Sequence, residues 1–351
     1  MLIILSLLFL CFLILFFFRE WYNGELIISF LPYIWWFLLL IVIYLLFIVW
    51  KNIYSKSQKK SLKIKISPLF LILFWILFWL YANELNNFYN QDYLEKWELD
   101  APIKILFSNI YKENFNYDAI KQTISNEDPD VVMFVEFSDE HEENLKDYIN
   151  EKYPYFDKTN RSRIFGWSVV MSKYPITNFH SIFKQTSAWK YWYFMVEKDS
   201  IPYYFYLIHT SSPTSYFDFK KRNQQLNIIK KEFFLEHENS RDEDAKIIMI
   251  WDFNLSPWSH YYKTFVNDFQ WKFRNITRSV PMLFTRNLSE MLKIHKDFTF
   301  LPTRFRKYIW YFPILWSHID QAFVTNSLKV KNFKKIHIDW SDHDWFVFEI
   351  E

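Results

Sequence analysis

At 351 residues the chain has room for one large domain or two smaller ones. Its 41 Lys and Arg nearly cancel 39 Asp and Glu, and from residue 101 onward the count is 33 against 32. No global basic field therefore marks it as a general nucleic-acid binder. The single cysteine, Cys11, excludes a disulfide framework.

In chain order, the first eighty residues differ from the rest. Leu2 to Phe18 carries no charge, Leu26 to Trp50 is a second long apolar run and Ile66 to Tyr81 a shorter third, so three transmembrane spans are expected within residues 1–82. No basic region precedes the first run and no small-residue cleavage site follows it, which argues against a secretory signal peptide. Lys51 to Lys65 holds six lysines and no acid. The positive-inside rule puts that loop in the cytoplasm. Counting crossings from there leaves the N-terminus cytoplasmic and everything after Tyr81 outside, so a multi-pass cell-membrane protein with an extracytoplasmic domain is expected.

Residues 83–101 are polar and aperiodic and read as a linker, and residues 102–351 as the second domain. Ile103 to Ser108 predicts a strand, Tyr117 to Ser125 a helix and Val131 to Phe137 a strand; Ser138 to Lys152 predicts a surface helix with Ser138 as N-cap. Ser168 to Ser172 and Tyr203 to His209 follow as strands, Asp218 to Glu236 as a long helix, Lys246 to Ile250 as a buried strand and Tyr261 to Phe269 as a helix. His318 to Thr325, Leu328 to Ile336 and Trp345 to Ile350 close with strands. This α/β mixture predicts two packed sheets flanked by helices.

Glycine is almost missing. A chain of this kind carries about 7% glycine, and this one has two, Gly24 and Gly166, beside 17 tryptophans. Turns with positive φ and close backbone approaches need glycine for steric reasons. Trp167, Trp251, Trp340 and Trp345 stand where small residues are expected, and an indole at 251 or 340 is expected to crowd the site described next. One reading is an alternative genetic code, in which a codon conventionally read as tryptophan or stop is translated as glycine. The other is a genuine aromatic rim.

The chemistry sits at strand ends. Asp252 and Asn254 close the apolar run Ile247 to Ile250, Asn109 closes Ile105 to Ser108, Glu136 closes Val131 to Val135, and Ser341-Asp342-His343 precedes the last strand. Hard oxygen ligands gathered at buried strand ends suit Mg²⁺ or Mn²⁺. Phosphodiester hydrolysis needs that cation, a positioned water and a proton donor or electrostatic partner, and an Asp paired with a His supplies the last.

Taken in order, Asn109, Glu136, His209-Thr210-Ser211-Ser212-Pro213, Asp252-Phe253-Asn254, His318-Ile319-Asp320 and Ser341-Asp342-His343 resemble the endonuclease/exonuclease/phosphatase superfamily. The resemblance implies a four-layered α/β sandwich with its site at the rim between two mixed β-sheets. It also implies roles. Glu136, Asn109 and Asp342 resemble metal contacts; Asp252 the carboxylate that orients or deprotonates water; Asn254 a phosphate-oxygen partner. His343 resembles the phosphoryl-facing histidine, Asp320 the carboxylate that fixes its tautomer, and His209 a second phosphate-facing histidine. Arg222 and Gln225 match an Arg-x-x-Gln pattern and are expected to serve helix packing and surface hydrogen bonds.

The expected function is a membrane-anchored, metal-dependent phosphodiesterase. A nuclease would use a basic groove, for which Lys158, Arg161, Arg163, Arg304, Arg306 and Lys307 are candidates. A phospholipid or sphingomyelin-type phosphodiesterase would use the tether and aromatics such as Tyr191, Trp192, Tyr193, Trp310, Tyr311 and Phe312. A catalytically inactive interaction domain of the same fold is the third option. The expected partners are the lipid bilayer and a phosphodiester substrate, nucleic acid or phospholipid; no protein partner is inferable.

Overall fold

The computed structural model describes residues 2–29, 31–57, 68–89, 100–158, 167–183, 190–238, 245–268, 272–279, 319–336, 338 and 343–351. It divides into a helical unit, residues 1–90 with 256–263, and an α/β unit, residues 91–255 with 264–351.

The apolar runs of the helical unit form α1 (Leu2–Phe17), α2 (Tyr22–Ile28), α3 (Leu31–Ser57) and α4 (Pro68–Tyr89). Of the three spans expected, one meets length and hydropathy by itself among the described residues: Tyr33–Lys51, inside α3. The helices α1 and α2 meet at a bend of 103° between Phe17 and Tyr22. Gly24 belongs at this corner, because a Cβ there would clash with the Phe18 carbonyl. The helix α4 continues to Tyr89, past the expected boundary at residue 82. The Tyr81 hydroxyl donates to the Phe12 carbonyl at 2.9 Å and Arg19 pairs with Glu84 at 3.0 Å, tying the first run to the last helix.

In the α/β unit the strands are β1 (Ile103–Asn109), β2 (Val131–Phe137), β3 (Tyr155–Lys158), β4 (Trp167–Ser172), β5 (Ile176–Phe183), β6 (Lys190–Lys198), β7 (Ile201–His209), β8 (Lys246–Asp252), β9 (Phe273–Asn275), β10 (Asp320–Thr325), β11 (Val330–Ile336) and β12 (Trp345–Ile350). Its helices are α5 (Tyr117–Glu127), α6 (Asp139–Lys152), α7 (Tyr216–Glu238) and α8 (His260–Asn267), the last beginning in the segment grouped with the helical unit. One six-stranded sheet runs β11-β12-β1-β2-β4-β3 and the other β5-β6-β7-β8-β10-β9. Both are mixed, with β1/β2 and β7/β8 parallel and the other pairs antiparallel.

Period-2 alternation sorts the strand side chains into two cores. Ile103, Ile105 and Phe107 of β1, Phe205 and Leu207 of β7, Ile248 and Ile250 of β8 and Ala322 and Val324 of β10 fill the space between the sheets. Leu106, Val132, Phe134 and Val347 face the other way, against Ile120 and Ile124 of α5 and Leu145 and Ile149 of α6. Central strands buried on both faces explain the unbroken apolar runs in the sequence. Trp192, an expected rim residue, is fully buried in the inter-sheet core.

Ser138 caps α6 as expected, with its hydroxyl accepting from the His141 backbone N–H at 3.3 Å. The return half of the capping box is His141, whose Nδ1 accepts from the Ser138 backbone N–H at 3.1 Å while Nε2–H donates to the Asn114 carbonyl at 2.7 Å. That neutral tautomer is fully buried, and burial pushes the imidazole down to about 4. The folded pKa lies below the ordinary 6.5, so the native state binds fewer protons than the unfolded chain as the pH falls between those values. Stability is therefore full above about pH 6.5 and declines towards pH 4, by up to about 3 kcal/mol from this one group. Urea midpoints followed by circular dichroism should show the decline in the parent chain and a shallower one in His141→Gln.

Candidate active site

The alternation that fills the inter-sheet core continues one step beyond it. Asn109, His209, Asp252 and Asp320 have the same parity as Phe107, Leu207, Ile250 and Ala322, so each projects into the rim between the sheets. Strand pairing sets His209 beside Asp252 and Asp320 beside Asp252. The Asn109 Nδ2 then bridges the two sheets, donating to Glu136 Oε1 at 3.1 Å and to Asp252 Oδ2 at 2.9 Å. From the second sheet, His209 Nε2 lies 3.5 Å from Asp252 Oδ2 and 3.8 Å from Glu136 Oε1.

Glu136 reaches this rim through a break in the alternation. In a regular strand it would join Phe134 on the helix-facing side. Instead the β2–β4 register shifts between Phe134 and Phe137, Phe137 takes the helix-facing place, and Glu136 adopts φ 59°. A bulge with one left-handed residue re-aims the carboxylate. A non-glycine residue held in that region costs about 1–3 kcal/mol, and such strain concentrates at functional sites.

Two Asx turns finish the cluster. Asn109 Oδ1 accepts from Tyr111 N–H at 3.0 Å, and Asp252 Oδ1 accepts from Asn254 N–H at 3.0 Å, with Tyr111 at φ 59° and Asn254 at φ 47°. The Asn254 Nδ2 donates to the Thr210 carbonyl at 2.9 Å, and the Thr210 hydroxyl donates to the Phe253 carbonyl at 2.5 Å, so the loops after β7 and β8 brace each other.

Alongside stands a second pair. The His343 Nδ1–H donates to Asp320 Oδ2 at 2.6 Å, again joining the two sheets. Ligand atoms of Asp252, Asp320 and His343 lie within 4.8 Å of one another. The short hydrogen bond joins His343 Nδ1 to Asp320 Oδ2, so this trio is a hydrogen-bonded His–Asp pair beside a second carboxylate.

Glu136, Asn109, His209 and Asp252 thus converge, with Asp320 and His343 next to them and Asn254 behind. Asp342 and Trp340 lie outside the described residues, as do Arg161, Arg163, Arg304, Arg306, Lys307 and the aromatics at 310–312. Asn109 presents its Nδ2 to the two carboxylates while its oxygen accepts from Tyr111 N–H, so it braces them across the sheets. The expected crowding by Trp251 is also absent: with the opposite parity to Asp252, the indole stacks on Phe253 at 3.8 Å and meets Phe265 edge-on at 4.8 Å, away from the site. Trp345 packs at 5.0 Å against Phe134 in the helix-facing core.

Arg222 and Gln225 are likewise fully buried, not surface residues. Arg222 Nη1 donates to the Asn254 carbonyl at 3.0 Å, while Gln225 accepts from Ser211 N–H at 2.8 Å and donates to the Ser211 hydroxyl at 3.0 Å. One helix turn therefore holds both site loops. The sequence clue was an Arg and a Gln three residues apart on one face of α7.

A comparison with protein-family models matches residues 106–343 to the Endonuclease/Exonuclease/phosphatase family. The chain belongs to that family. Its members are hydrolytic phosphoesterases, and the two mixed sheets with flanking helices are the family's α/β sandwich. Among solved structures, truncated TDP2 from Caenorhabditis elegans superposes with a TM-score of 0.53 at 14% identity, covering 71% of this chain and 97% of that one. The human Nocturnin catalytic domain with bound sulfate gives 0.52 at 13% identity, with 73% and 96% covered. SmcL gives 0.50 at 19%, with 72% and 99% covered. At these identities the likeness concerns the fold of the family. A search of curated protein sequences gives no match.

Proposed function

We propose that this endonuclease/exonuclease/phosphatase family member is a membrane-anchored, divalent-metal-dependent phosphodiesterase acting on nucleic acid. The observation that carries the reading is the convergence of Glu136, Asp252 and His209, braced by Asn109, beside the His343–Asp320 pair. Among the described residues His209 Nε2 lies within 4 Å of both the Glu136 and the Asp252 carboxylates. Two carboxylates sharing one amide donor repel each other, and a hard divalent cation offsets that repulsion. The donor set therefore fits Mg²⁺ or Mn²⁺, with Glu136 as the ligand. When bound, the cation supplies positive charge to the phosphoryl oxygens.

The chain's own groups do the rest. Asp252 holds the attacking water and takes its proton. His343, oriented through Nδ1 by Asp320, faces the phosphoryl oxygen with Nε2, and His209 faces the same group from the second sheet. Asn254 contributes the second N–H of its carboxamide to a phosphate oxygen. The apolar helix segment Tyr33–Lys51 supports anchoring, with the α/β domain outside the membrane. That same helix favours a second reading, a phospholipid phosphodiesterase working on its own bilayer. The test is hydrolysis by the full chain in detergent, with Mg²⁺ or Mn²⁺, of single-stranded DNA, RNA and a phosphodiester lipid. Turnover of nucleic acid that stops with EDTA is expected; turnover of lipid alone selects the second reading, and none on any substrate favours a scaffold that has lost catalysis.

The proposal extends to translation. Trp251 and Trp345 are both 0% exposed, and each has an indole N–H without an acceptor. Such an orphan costs about 1–3 kcal/mol. Neither has positive φ, so the support for glycine comes from composition and from these orphans, not from backbone strain. Protein purified from its native host is expected to have an intact mass below that of the written sequence by a whole multiple of the tryptophan–glycine difference. A mass equal to the written sequence ends the recoding idea.

A further inference from the structure

We propose that Phe115, Tyr216 and Phe217 form a base-stacking rim for single-stranded nucleic acid at the mouth of the site, a reading that rests on the nucleic-acid phosphodiesterase proposed above. The exposed large apolar side chains among the described residues of the α/β unit are Phe115 at 59%, Tyr155 at 39%, Tyr216 at 56% and Phe217 at 76%. Three of the four lie on the connections that leave the site ends of two strands. Phe115 follows Asn109 by six residues, and Tyr216 and Phe217 follow His209 by seven and eight. Asn109 and His209 both reach Asp252, so the two connections issue from the same end of the sandwich.

The display is rigid. Ser215 Oγ accepts from Asp218 N–H at 3.1 Å and donates to the Asp218 carboxylate at 2.7 Å, a side-chain cap that fixes Tyr216 and Phe217 in the first turn of α7. The same helix is anchored two turns on by the buried Arg222 and Gln225, which grip the site loops. On the other connection, Asn114 is fully buried and its side chain accepts from Asn116 N–H at 3.1 Å, so Phe115 stands between two fixed residues. Phe217 thus stays in water on a braced element, an arrangement that suits a ligand with flat apolar faces.

Charge selects among such ligands. Lys112 lies on the Phe115 connection, and Lys220 and Lys221 lie on the turn after Phe217, with the Lys220 ammonium 4.7 Å from the Tyr216 ring centre. Of the acids nearby, Asp218 is engaged in the cap and Glu113 accepts from the Tyr111 hydroxyl at 2.8 Å; Glu140 and Glu143 act on Tyr117, whose ring meets Phe115 at 6.4 Å, so the basic side of the rim is the one that carries Phe217. Aromatic faces interleaved with ammonium groups match alternating bases and phosphates. Stacking is tolerant of base identity because every base has a π-face, and bases must be unpaired to use it. The rim thereby predicts a preference for single strands and little preference for sequence.

The test is metal-free binding by the full chain in detergent, read by fluorescence anisotropy with EDTA present. The probes are a short labelled oligothymidylate and an abasic deoxyribose-phosphate oligomer of the same length. The parent chain should bind the thymidylate on the order of tenfold tighter than the abasic probe, and the Phe115→Ala/Phe217→Ala double variant should lose most of that preference. A Phe217→Trp variant should keep it, which separates stacking from local unfolding. Equal affinity of the parent chain for both probes, or an intact preference in the double variant, overturns the rim. So does a double variant that loses only its binding to phosphatidylcholine vesicles, because the aromatics would then be meeting lipid. Hydrolysis is not measured here, so a chain that hydrolyses nucleic acid without telling the probes apart loses the rim and keeps the function.

Discussion

Asp252→Asn is expected to lower kcat for phosphodiester hydrolysis by about a thousandfold or more while leaving the fold intact. Asp252 is fully buried, and its two oxygens are held by Asn254 N–H and Asn109 Nδ2, so its direction is fixed before substrate arrives. A carboxamide in the same place keeps one oxygen for these donors and loses both the charge and the capacity to take a proton. Glu136→Gln should behave differently. Its carboxylate sits on a bulge with the backbone already strained toward the site, and the neutral replacement should raise the Mg²⁺ concentration needed for half-maximal rate more than it lowers the rate at saturation. Steady-state rates across a metal titration separate the two. If Asp252→Asn stays within tenfold of the parent at saturating metal, the water-activating role assigned to Asp252 is wrong.

Four of the converging residues were legible in the sequence for a simple reason. Asn109, His209, Asp252 and Asp320 extend an apolar every-second-residue pattern by one step, so the pattern that predicts the inter-sheet core also predicts what projects beyond it. Glu136 is legible as a strand-end carboxylate but not in direction, because regular alternation points it to the helix layer and only the bulge turns it round. Arg222 and Gln225, expected to serve helix packing and surface hydrogen bonds, are buried, because a mostly polar helix gives no hint that one face closes over two loops. Trp251 is expected to crowd the site, whereas β8 runs through Asp252 and the alternation sends the indole to the opposite face of the sheet. The helical unit is readable as apolar, but the 103° bend between α1 and α2, where a Cβ at Gly24 would meet the Phe18 carbonyl, is not encoded in composition.

The second large effect is expected at the His343–Asp320 pair. Asp320→Asn preserves an oxygen that can accept from His343 Nδ1–H but removes the countercharge, so the ring keeps its orientation and loses the partner that favours its protonated form. A fall in kcat of roughly a hundredfold to ten-thousandfold is expected, with substrate KM little changed, because the loss falls on charge that develops in the transition state. His343→Ala should cost a similar factor. The two groups lie 2.6 Å apart across the sheets and act through one imidazole, so the double variant should be hardly slower than the worse single variant. A thermodynamic cycle on kcat measures this directly. Multiplying losses would mean that Asp320 and His343 act on the substrate separately, and Asp320 would then have to be reassigned with Asp252, the carboxylate it pairs with across the β8–β10 ladder.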